Sequence, residues 1–354
     1  MTSGPLSVEI SGPIHFGGSS FSRATLYPDG TIYLDNHLKS VDKGRTVVEC
    51  TASDPNLRSL LNMHRNFLNT HRHPQNRTRF LALDYPLNEL RPPRPNTFST
   101  TRWWSDNVFE APVRRGAALF HIPAGKVMFH RGVKAEARLY GLFCHRGIVE
   151  DHDGSLLACC FGNFESDTIR PPDGADIGIK ARCFLVRSTD GGVNWRYVAT
   201  IAAPEPGMED NEEGYDEAAL AVLEDGRYFV VMRTGHWTPL VGAYSADQGR
   251  TWSAPKPLPG LANGVSPDLI KLLDGRLVLA YGRNIRGTAF RRTCELAVSE
   301  DGQGNTWSAV TVAPPTSWAN NRSGYPTIFE VEPGVVFYQA DGDCWRIRLG
   351  PRRA

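Results

Sequence analysis

A short pattern that recurs at nearly constant spacing is the feature that most constrains the fold of this chain. It reads RSTDGGVNW at Arg187–Trp195, YSADQGRTW at Tyr244–Trp252 and VSEDGQGNTW at Val298–Trp307. The serines of successive copies lie 57 and 54 residues apart. Chance similarity does not produce so regular a period, so the chain is predicted to consist of repeated structural units.

Each copy of the pattern has the composition of a turn between two strands. The aspartates Asp190, Asp247 and Asp301 would accept hydrogen bonds from nearby backbone N–H groups, and the glycines would supply positive φ angles. The tryptophan that ends each copy would pack beneath the loop. The pattern therefore predicts a contribution to folding rather than to chemistry.

Short β-rich runs separate the copies and predict the rest of each unit. The runs follow Asp-Gly turns and read GSLLACCF after Asp153, GRYFVVM after Asp225 and GRLVLAYG after Asp274. Each period then holds roughly four strands, which is one blade of a β-propeller. About four such units fit after residue 140 and about two before it. We expect an all-β chain that forms one six-bladed β-propeller of four-stranded antiparallel blades, as a single domain over residues 1–354.

The N-terminal part is less regular. The segment Ser22–Leu34 is typical of a hairpin, and Trp103–Pro112 resembles a weakened copy of the repeated turn. Residues 55–80 instead carry apolar side chains at helical spacing. This stretch is predicted to be an insertion or a short helical segment within the domain.

Charge and cysteine content exclude several functional classes. The chain has 39 Lys and Arg against 38 Asp and Glu, so no overall field favours nucleic acid. No apolar run is long enough for a membrane span, and no leader pattern opens the sequence. We expect a cytoplasmic protein, or a secreted one if a leader has been removed. The seven cysteines form no CxxC pair and the histidines have no ligand spacing, so neither a metal nor a cofactor is predicted.

The three repeats resemble the Asp boxes, or BNR repeats, of the sialidase (neuraminidase) superfamily, over about residues 140–345. Asp boxes also occur in other glycosidases, in lyases and in non-enzymatic sugar-binding propellers, so the motif indicates a fold more than a function. The resemblance implies an exo-acting retaining glycosidase that cleaves terminal sialic acid or a related nonulosonic acid from a glycan.

Sialidases bind the carboxylate of their sugar with three arginines, because a planar guanidinium matches a carboxylate in two parallel bonds. The resemblance nominates Arg146 in HRGIVEDHDG, with Arg23 in SRATLYPDG as its rival, and Arg233 at the end of GRYFVVMR. Two positions compete for the third arginine. These are Arg283 in YGRN and Arg291 in FRRTCELAVSEDG.

The resemblance also implies the catalytic residues. It nominates Tyr325 in NRSGYPTIFE as the nucleophile and Glu217 in DEAALAVLEDG as its base. A neutral phenol avoids the repulsion that a carboxylate nucleophile would meet at an anomeric carbon bearing a carboxylate, but its pKa near 10 requires a base. For the general acid we rank Asp176 first and Asp167 second, with Asp173 in the same loop.

Two alternative functions follow from the same residues. The chain could act on another acidic glycoside, by hydrolysis or by elimination as a polysaccharide lyase does, or it could bind glycans without turnover. The non-catalytic alternative predicts that Tyr325 and Glu217 are not neighbours in space. Either enzyme requires the arginines to converge in one cleft with Tyr325.

Overall fold

The structure, a computed structural model, describes residues 7–17, 24–34, 38–51, 69–70, 78–126, 141–172, 178–208, 211–261, 263–285, 291–317 and 324–352. All regular elements within these ranges are β-strands, so the all-β prediction is confirmed. The predicted Asp-Gly turns also occur as hairpins. Gly154, Gly226 and Gly275 each sit at positive φ between two antiparallel strands.

Four separate sheets contain four antiparallel strands each. The N-terminal sheet comprises β2 (Thr25–Leu26), β3 (Ile32–Leu34), β4 (Leu38–Ser40) and β5 (Val48–Glu49). The second comprises β16 (Asp216–Val222), β17 (Tyr228–Arg233), β18 (Val241–Ser245) and β19 (Lys256–Pro257). The third comprises β20 (Gly264–Lys271), β21 (Leu277–Asn284), β22 (Arg291–Ser299) and β23 (Ser308–Ser317). The fourth joins the two ends of the chain, because β1 (Val8–His15) pairs with β26 (Asp343–Leu349) beside β25 (Val335–Ala340) and β24 (Pro326–Glu332).

The remaining strands form one ten-stranded sheet. They are β6 (Asn69–Thr70), β7 (Phe80–Leu83), β8 (Pro86–Arg94), β9 (Thr97–Ser105), β10 (Arg114–His121), β11 (Gly125–Lys126), β12 (Leu142–Glu150), β13 (Leu156–Phe164), β14 (Arg182–Ser188) and β15 (Asn194–Ala202). Within this sheet β9 pairs with both β8 and β10, while β10 pairs in parallel with β15. Seven of the strands, β8, β9, β10, β15, β14, β13 and β12, thereby form a closed circuit.

The prediction of six separate four-stranded blades is therefore wrong. A repeat period counts strands along the sequence, but it does not say which edges remain unpaired. Without a neighbour, the edge of β15 would present unpaired backbone N–H and C=O groups. Strand β10 pairs with this edge at Leu119, Phe120 and His121. A second pairing, between β12 and β8, joins strands that the repeat period had assigned to two separate blades.

The hydrophobic core lies between successive sheets. One cluster, which includes Leu185 and Val230, joins the ten-stranded sheet to the β16–β19 sheet. Similar clusters join β16–β19 to β20–β23, and β20–β23 to the terminal sheet. The N-terminal sheet packs on the terminal sheet through Phe337 and on the ten-stranded sheet through Tyr27. Strands β12, β16, β20 and β24 meet one another where these sheets come together.

The repeated turns connect the third and fourth strands of their units and have the predicted chemistry. In the first copy Asp190 Oδ1 accepts hydrogen bonds from Ser188 Oγ at 2.9 Å and from the Asn194 amide at 2.9 Å. The indole of Trp195 is fully buried, and its Nε1 donates to Gly192 O at 3.1 Å. The other two copies repeat this indole bond at Trp252 and Trp307.

A fourth copy of the turn, at Ser40–Val47, was not predicted. Ser40 Oγ donates to Asp42 Oδ1 at 2.8 Å, and the Thr46 amide donates to the same oxygen at 2.9 Å. Because valine replaces tryptophan at its last position, a search that requires the aromatic residue misses it. The segment proposed as a weakened copy has different bonds, since Ser105 Oγ donates to Ala111 O.

The structure describes only part of the two other N-terminal segments for which a prediction was made. The hairpin expected within Ser22–Leu34 is present as β2 and β3. Most of residues 55–80 lies outside the described ranges, and the described part of it contains β6 and the start of β7.

Candidate active site

Three strained backbone positions bring the candidate site together. Arg146, Glu217 and Ser266 have φ angles of 46°, 34° and 47°, a region that non-glycine residues rarely adopt. Each lies at a β-bulge, Arg146 in the middle of β12, and Glu217 and Ser266 near the starts of β16 and β20. Each such position costs about 1–3 kcal/mol and persists only where the surroundings enforce it. The same distortion in three neighbouring strands indicates that all three residues are held in directions that a regular strand would not give them.

Hydrogen bonds link the three bulge residues. Arg146 Nη2 donates to Ser266 Oγ at 2.7 Å, and the Ser266 amide donates to Glu217 Oε2 at 2.9 Å. Arg146 is 2% exposed; its Nη1 donates to Thr327 Oγ1 at 3.2 Å and lies 3.8 Å from Asp268 Oδ2. The bulges thus link Arg146 to Glu217 through one serine.

A tyrosine, a glutamate and an arginine form the centre of the cluster. Tyr325, just before β24, donates from its hydroxyl to Glu217 Oε1 at 2.8 Å. Arg233, the last residue of β17, donates from Nη1 to Glu217 Oε2 at 2.9 Å and approaches Tyr325 Oη at 3.2 Å. All three side chains are buried. Glu217 and Arg233 meet because their strands form one antiparallel hairpin.

Burial and charge act on this pair in opposite directions. Burial works to raise the pKa of Glu217, but the Arg233 guanidinium, His145 and the hydrogen bond from Tyr325 hold that pKa well below its usual range. Burial raises the pKa of the Tyr325 phenol, and the charge of Glu217 raises it further, against the opposing effect of Arg233 and Arg292. At neutral pH the cluster therefore contains a carboxylate beside a neutral phenol.

Further acidic groups surround Arg233. Its Nη2 lies 2.6 Å from Glu213 Oε2, and its Nε lies 4.0 Å from Asp216 Oδ1. Burial, together with the negative charges of Glu213 and Glu217, raises the pKa of Asp216 well above its usual range although Arg233 opposes this. The donors of Arg233 are thus directed largely toward protein carboxylates.

A second arginine flanks the tyrosine from β22. The Arg292 guanidinium carbon lies 5.7 Å from the centre of the Tyr325 ring. Its Nε donates to Asn284 Oδ1 at 2.8 Å, and its Nη2 lies 3.3 Å from Nδ1 of His236. Arg146, Arg233 and Arg292 therefore converge around the Tyr325–Glu217 pair.

A model of the BNR repeat-like domain family matches residues 134–337, which is more than half of the chain. The chain belongs to the BNR repeat-like domain family. The resemblance of its Asp boxes to the sialidase superfamily is thereby confirmed. No curated protein matches the chain.

Several solved structures share the fold of this BNR repeat-like chain. A protein of unknown function from Dyadobacter fermentans is 15% identical with a TM-score of 0.63, over 97% of this chain and 99% of that one. A Hadza microbial sialidase is 15% identical with a TM-score of 0.51, over 98% of this chain and 66% of that one. A Trypanosoma rangeli sialidase mutant with trans-sialidase activity is 12% identical with a TM-score of 0.50, over 98% and 60%. The chain thus spans about two thirds or less of the length of these two sialidases.

The BNR repeat-like chain does not bring every nominated residue to this cluster. Arg283 points away from it, where its Nε donates to Glu295 Oε1 at 3.1 Å and its side chain is 39% exposed. The backbone of Arg291 pairs with Ser317 at the start of β22, and its side chain lies outside the described residues. Arg292, one residue later, lies beside Tyr325.

The candidates for the general acid are only partly described. Both oxygens of Asp167 are engaged by Arg182, and Oδ2 also accepts the Phe164 amide at 2.7 Å. Asp176 and Asp173 lie outside the described residues, as does Arg23. The assignment of the acid therefore stays a prediction.

Sequence reasoning missed several members of the cluster. For Arg292 a signal was available in the sequence, because Arg292 shares its parity with the apolar Cys294, Leu296 and Val298, whereas Thr293 and Glu295 between them are polar. Ser266, Asp268, Glu213 and His236 carried no comparable pattern. Their places follow from bulges and turns that bring separate strands together.

Two further findings concern only the described ranges. The described ranges contain no group of three or more His, Cys, Asp or Glu side chains arranged to hold a metal ion. Within the same ranges, no helix has the length and apolar character needed to cross a membrane.

Proposed function

We propose that this protein is a retaining glycoside hydrolase in which Tyr325 is the nucleophile and Glu217 is its base. The observation that supports this most directly is the 2.8 Å hydrogen bond from the Tyr325 hydroxyl to Glu217 Oε1. A nucleophile within hydrogen-bonding distance of a base that other groups hold in place is the arrangement covalent catalysis requires. A protein that binds glycans without turnover would not need this contact.

The proposed reaction has two steps. The Tyr325 oxygen forms a bond to the anomeric carbon as the glycosidic bond breaks, the phenolic proton passes to Glu217, and a general acid protonates the departing oxygen. Water then attacks the same carbon and gives a proton to the conjugate base of the general acid, while the bond to Tyr325 breaks and the phenol oxygen takes its proton back from Glu217. Asp176 remains our first choice for the acid, because Arg182 engages both oxygens of the alternative, Asp167.

The directions of the two pKa shifts make Glu217 a weak base in the resting site. Proton transfer must therefore accompany attack, when charge leaves the phenol oxygen for the sugar. Arg233 lies 3.2 Å from that oxygen and would stabilise negative charge that develops on it. Arg292, near the face of the ring, would act in the same direction.

We propose an acidic sugar, sialic acid or a related nonulosonic acid, as the substrate. Two buried guanidinium groups, those of Arg233 and Arg292, lie beside the proposed nucleophile, and a third, that of Arg146, is linked to Glu217 through Ser266. Guanidinium groups suit a carboxylate better than any other side chain does. A sugar whose anomeric carbon bears a carboxylate would place that group among them.

One observation favours a second candidate, a glycosidase or lyase that acts on a different glycoside. Arg233 already contacts Glu213 and Glu217, and Arg146 lies 3.8 Å from Asp268. Arginines that balance protein carboxylates can position the nucleophile without binding a substrate anion. Product analysis separates hydrolysis from elimination, because elimination leaves an unsaturated, ultraviolet-absorbing sugar.

The test is release of fluorophore from aryl ketosides of N-acetylneuraminic acid and its deaminated analogue, with Tyr325→Phe as the matched variant. Turnover that the variant loses, with its melting temperature preserved, supports the proposal. Equal turnover by the variant refutes the role of Tyr325. Turnover of neutral aryl glycosides alone favours the second candidate, and binding without any turnover favours a glycan-binding protein.

A further inference from the structure

His236 lies between the arginines of the site, and no motif predicted it. It follows β17 after a sharp turn at Gly235, where φ is 153° and an added Cβ would lie 2.6 Å from Cβ of Glu212. Only glycine fits this turn without displacing its neighbours. The turn directs the His236 ring back over Arg233, three residues earlier.

The backbone of His236 is anchored independently of its ring. Its amide donates to Glu212 Oε2 at 2.7 Å, and its carbonyl accepts from Asn263 Nδ2 at 3.4 Å and from Asn284 Nδ2. The loop therefore has its own attachments on both sides. Removing the imidazole would leave these attachments in place, so the ring is not needed to hold the loop.

The neighbours of the ring favour the tautomer with the proton on Nε2. Nε2 lies 3.4 Å from both Glu213 Oε1 and Arg233 Nη2, and Nδ1 lies 3.3 Å from Arg292 Nη2. With the proton on Nε2, the ring donates to Glu213 and accepts from Arg292, although this N–H also faces Arg233. The opposite tautomer could accept from Arg233, but it would direct an N–H at the Arg292 N–H and leave the Glu213 carboxylate facing a lone pair.

We propose that His236 is a positioning residue that connects Glu213 to Arg292 and so holds the Arg292 guanidinium over the Tyr325 ring. This inference rests on the proposed function, in which Tyr325 is the nucleophile. Arg292 has its Nε bonded to Asn284 and its Nη2 bonded to His236, so the two contacts fix the plane of the guanidinium. Loss of the second contact would remove one of the bonds that orient the guanidinium over the ring.

The imidazole is neutral although charges of both signs face it. They are the cations Arg233 and Arg292 and the anions Glu212, Glu213 and Glu217. Burial, together with the two arginines, lowers the pKa of His236 to about 4, against the effect of Glu217 and Glu212. A neutral ring can accept from Arg292, whereas a protonated ring cannot.

The first experiment compares His236→Ala, His236→Asn and His236→Gln in the aryl glycoside assay. An asparagine oxygen reaches the place of Nδ1 and can accept from Arg292, whereas glutamine extends toward the place of Nε2. We expect kcat/KM to fall about tenfold to a hundredfold in the alanine variant, mainly through kcat, and to recover with asparagine but not with glutamine. His152→Ala, at an exposed turn, is the control. Full activity of the alanine variant, or equal loss in all three, would overturn the proposal.

The second experiment does not depend on turnover. The ring of His236 is titrated by NMR in the wild-type protein and in Arg292→Gln. We expect the Nε2–H tautomer and a pKa that rises from about 4 toward its ordinary value when Arg292 is removed. An unchanged pKa, or the opposite tautomer, would overturn the contact itself. A moved pKa in a protein that turns over no glycoside would instead retain the contact and reject the proposed function.

Discussion

The hydroxyl of Tyr325 donates a hydrogen bond of 2.8 Å to Oε1 of Glu217, although 108 positions separate the two residues in sequence. The contact exists because a bulge in β16 turns Glu217 inward at φ 34°. The Ser266 amide and Arg233 then hold its other oxygen. The carboxylate is thereby fixed on one side and presents its remaining oxygen to the phenol.

Replacement of Glu217 by glutamine tests whether this contact transfers a proton. Glutamine keeps the size of the side chain and one acceptor oxygen, but it cannot take up the phenolic proton. We expect kcat on an activated aryl glycoside to fall about 10²–10⁴-fold with little change in KM. Circular dichroism and thermal melting of the same samples show whether the variant is folded. A folded variant with wild-type kcat would exclude Glu217 as the base.

Arginine substitutions distinguish the cluster from the residue that lies outside it. Arg292→Lys keeps the charge but loses the planar group that contacts Asn284, His236 and the Tyr325 ring. We expect kcat/KM to fall roughly tenfold to a hundredfold, which is about 1.4–2.7 kcal/mol of transition-state stabilisation. Arg283→Lys is the matched control, because Arg283 pairs with Glu295 away from the site. A greater loss from the Arg283 variant would show that the third arginine has been misassigned.

The sequence anticipated the parts of this molecule that are encoded locally. Asp-Gly turns and Asp boxes are determined by residues within a few positions, and the structure contains them at the predicted places. The fusion of two units into one sheet depends instead on which edges meet, as when β10 pairs with β15. Likewise, motif resemblance found Tyr325, Glu217 and Arg233, whose roles remain predictions. His236 and Ser266 enter the cluster through a turn and a bulge that no short pattern announced.

The first Asp box offers a stability test that does not involve the site. Asp190 accepts the amides of Val193 and Asn194 as well as Ser188 Oγ, and these bonds hold the turn above the buried Trp195. Asp190→Ala leaves those donors with only water. We expect about 1–2 kcal/mol of lost stability and unchanged kcat. Denaturant unfolding followed by fluorescence measures the loss. A loss of activity with full stability would show that the box has a chemical role.

The lowered pKa of His236 predicts a pH dependence of stability. In the unfolded chain this histidine titrates near 6.5, whereas in the folded protein its pKa is about 4. Between these values the unfolded state binds a proton that the folded state does not, so the free energy of unfolding must fall as the pH falls. From pH 8 to pH 5 the contribution of this one group amounts to about 2 kcal/mol.

His236→Asn removes that titration while keeping an acceptor for Arg292. Urea unfolding at pH 8 and at pH 5 should therefore show a smaller loss of stability on acidification in the variant than in the wild-type protein. His152→Asn controls for the removal of a histidine as such. If wild type and His236→Asn lose the same stability between the two pH values, the imidazole is not kept neutral by Arg233 and Arg292. Arg233 and Arg292 would then not lie close enough to His236 to matter, because two adjacent guanidinium groups must disfavour a third positive charge between them.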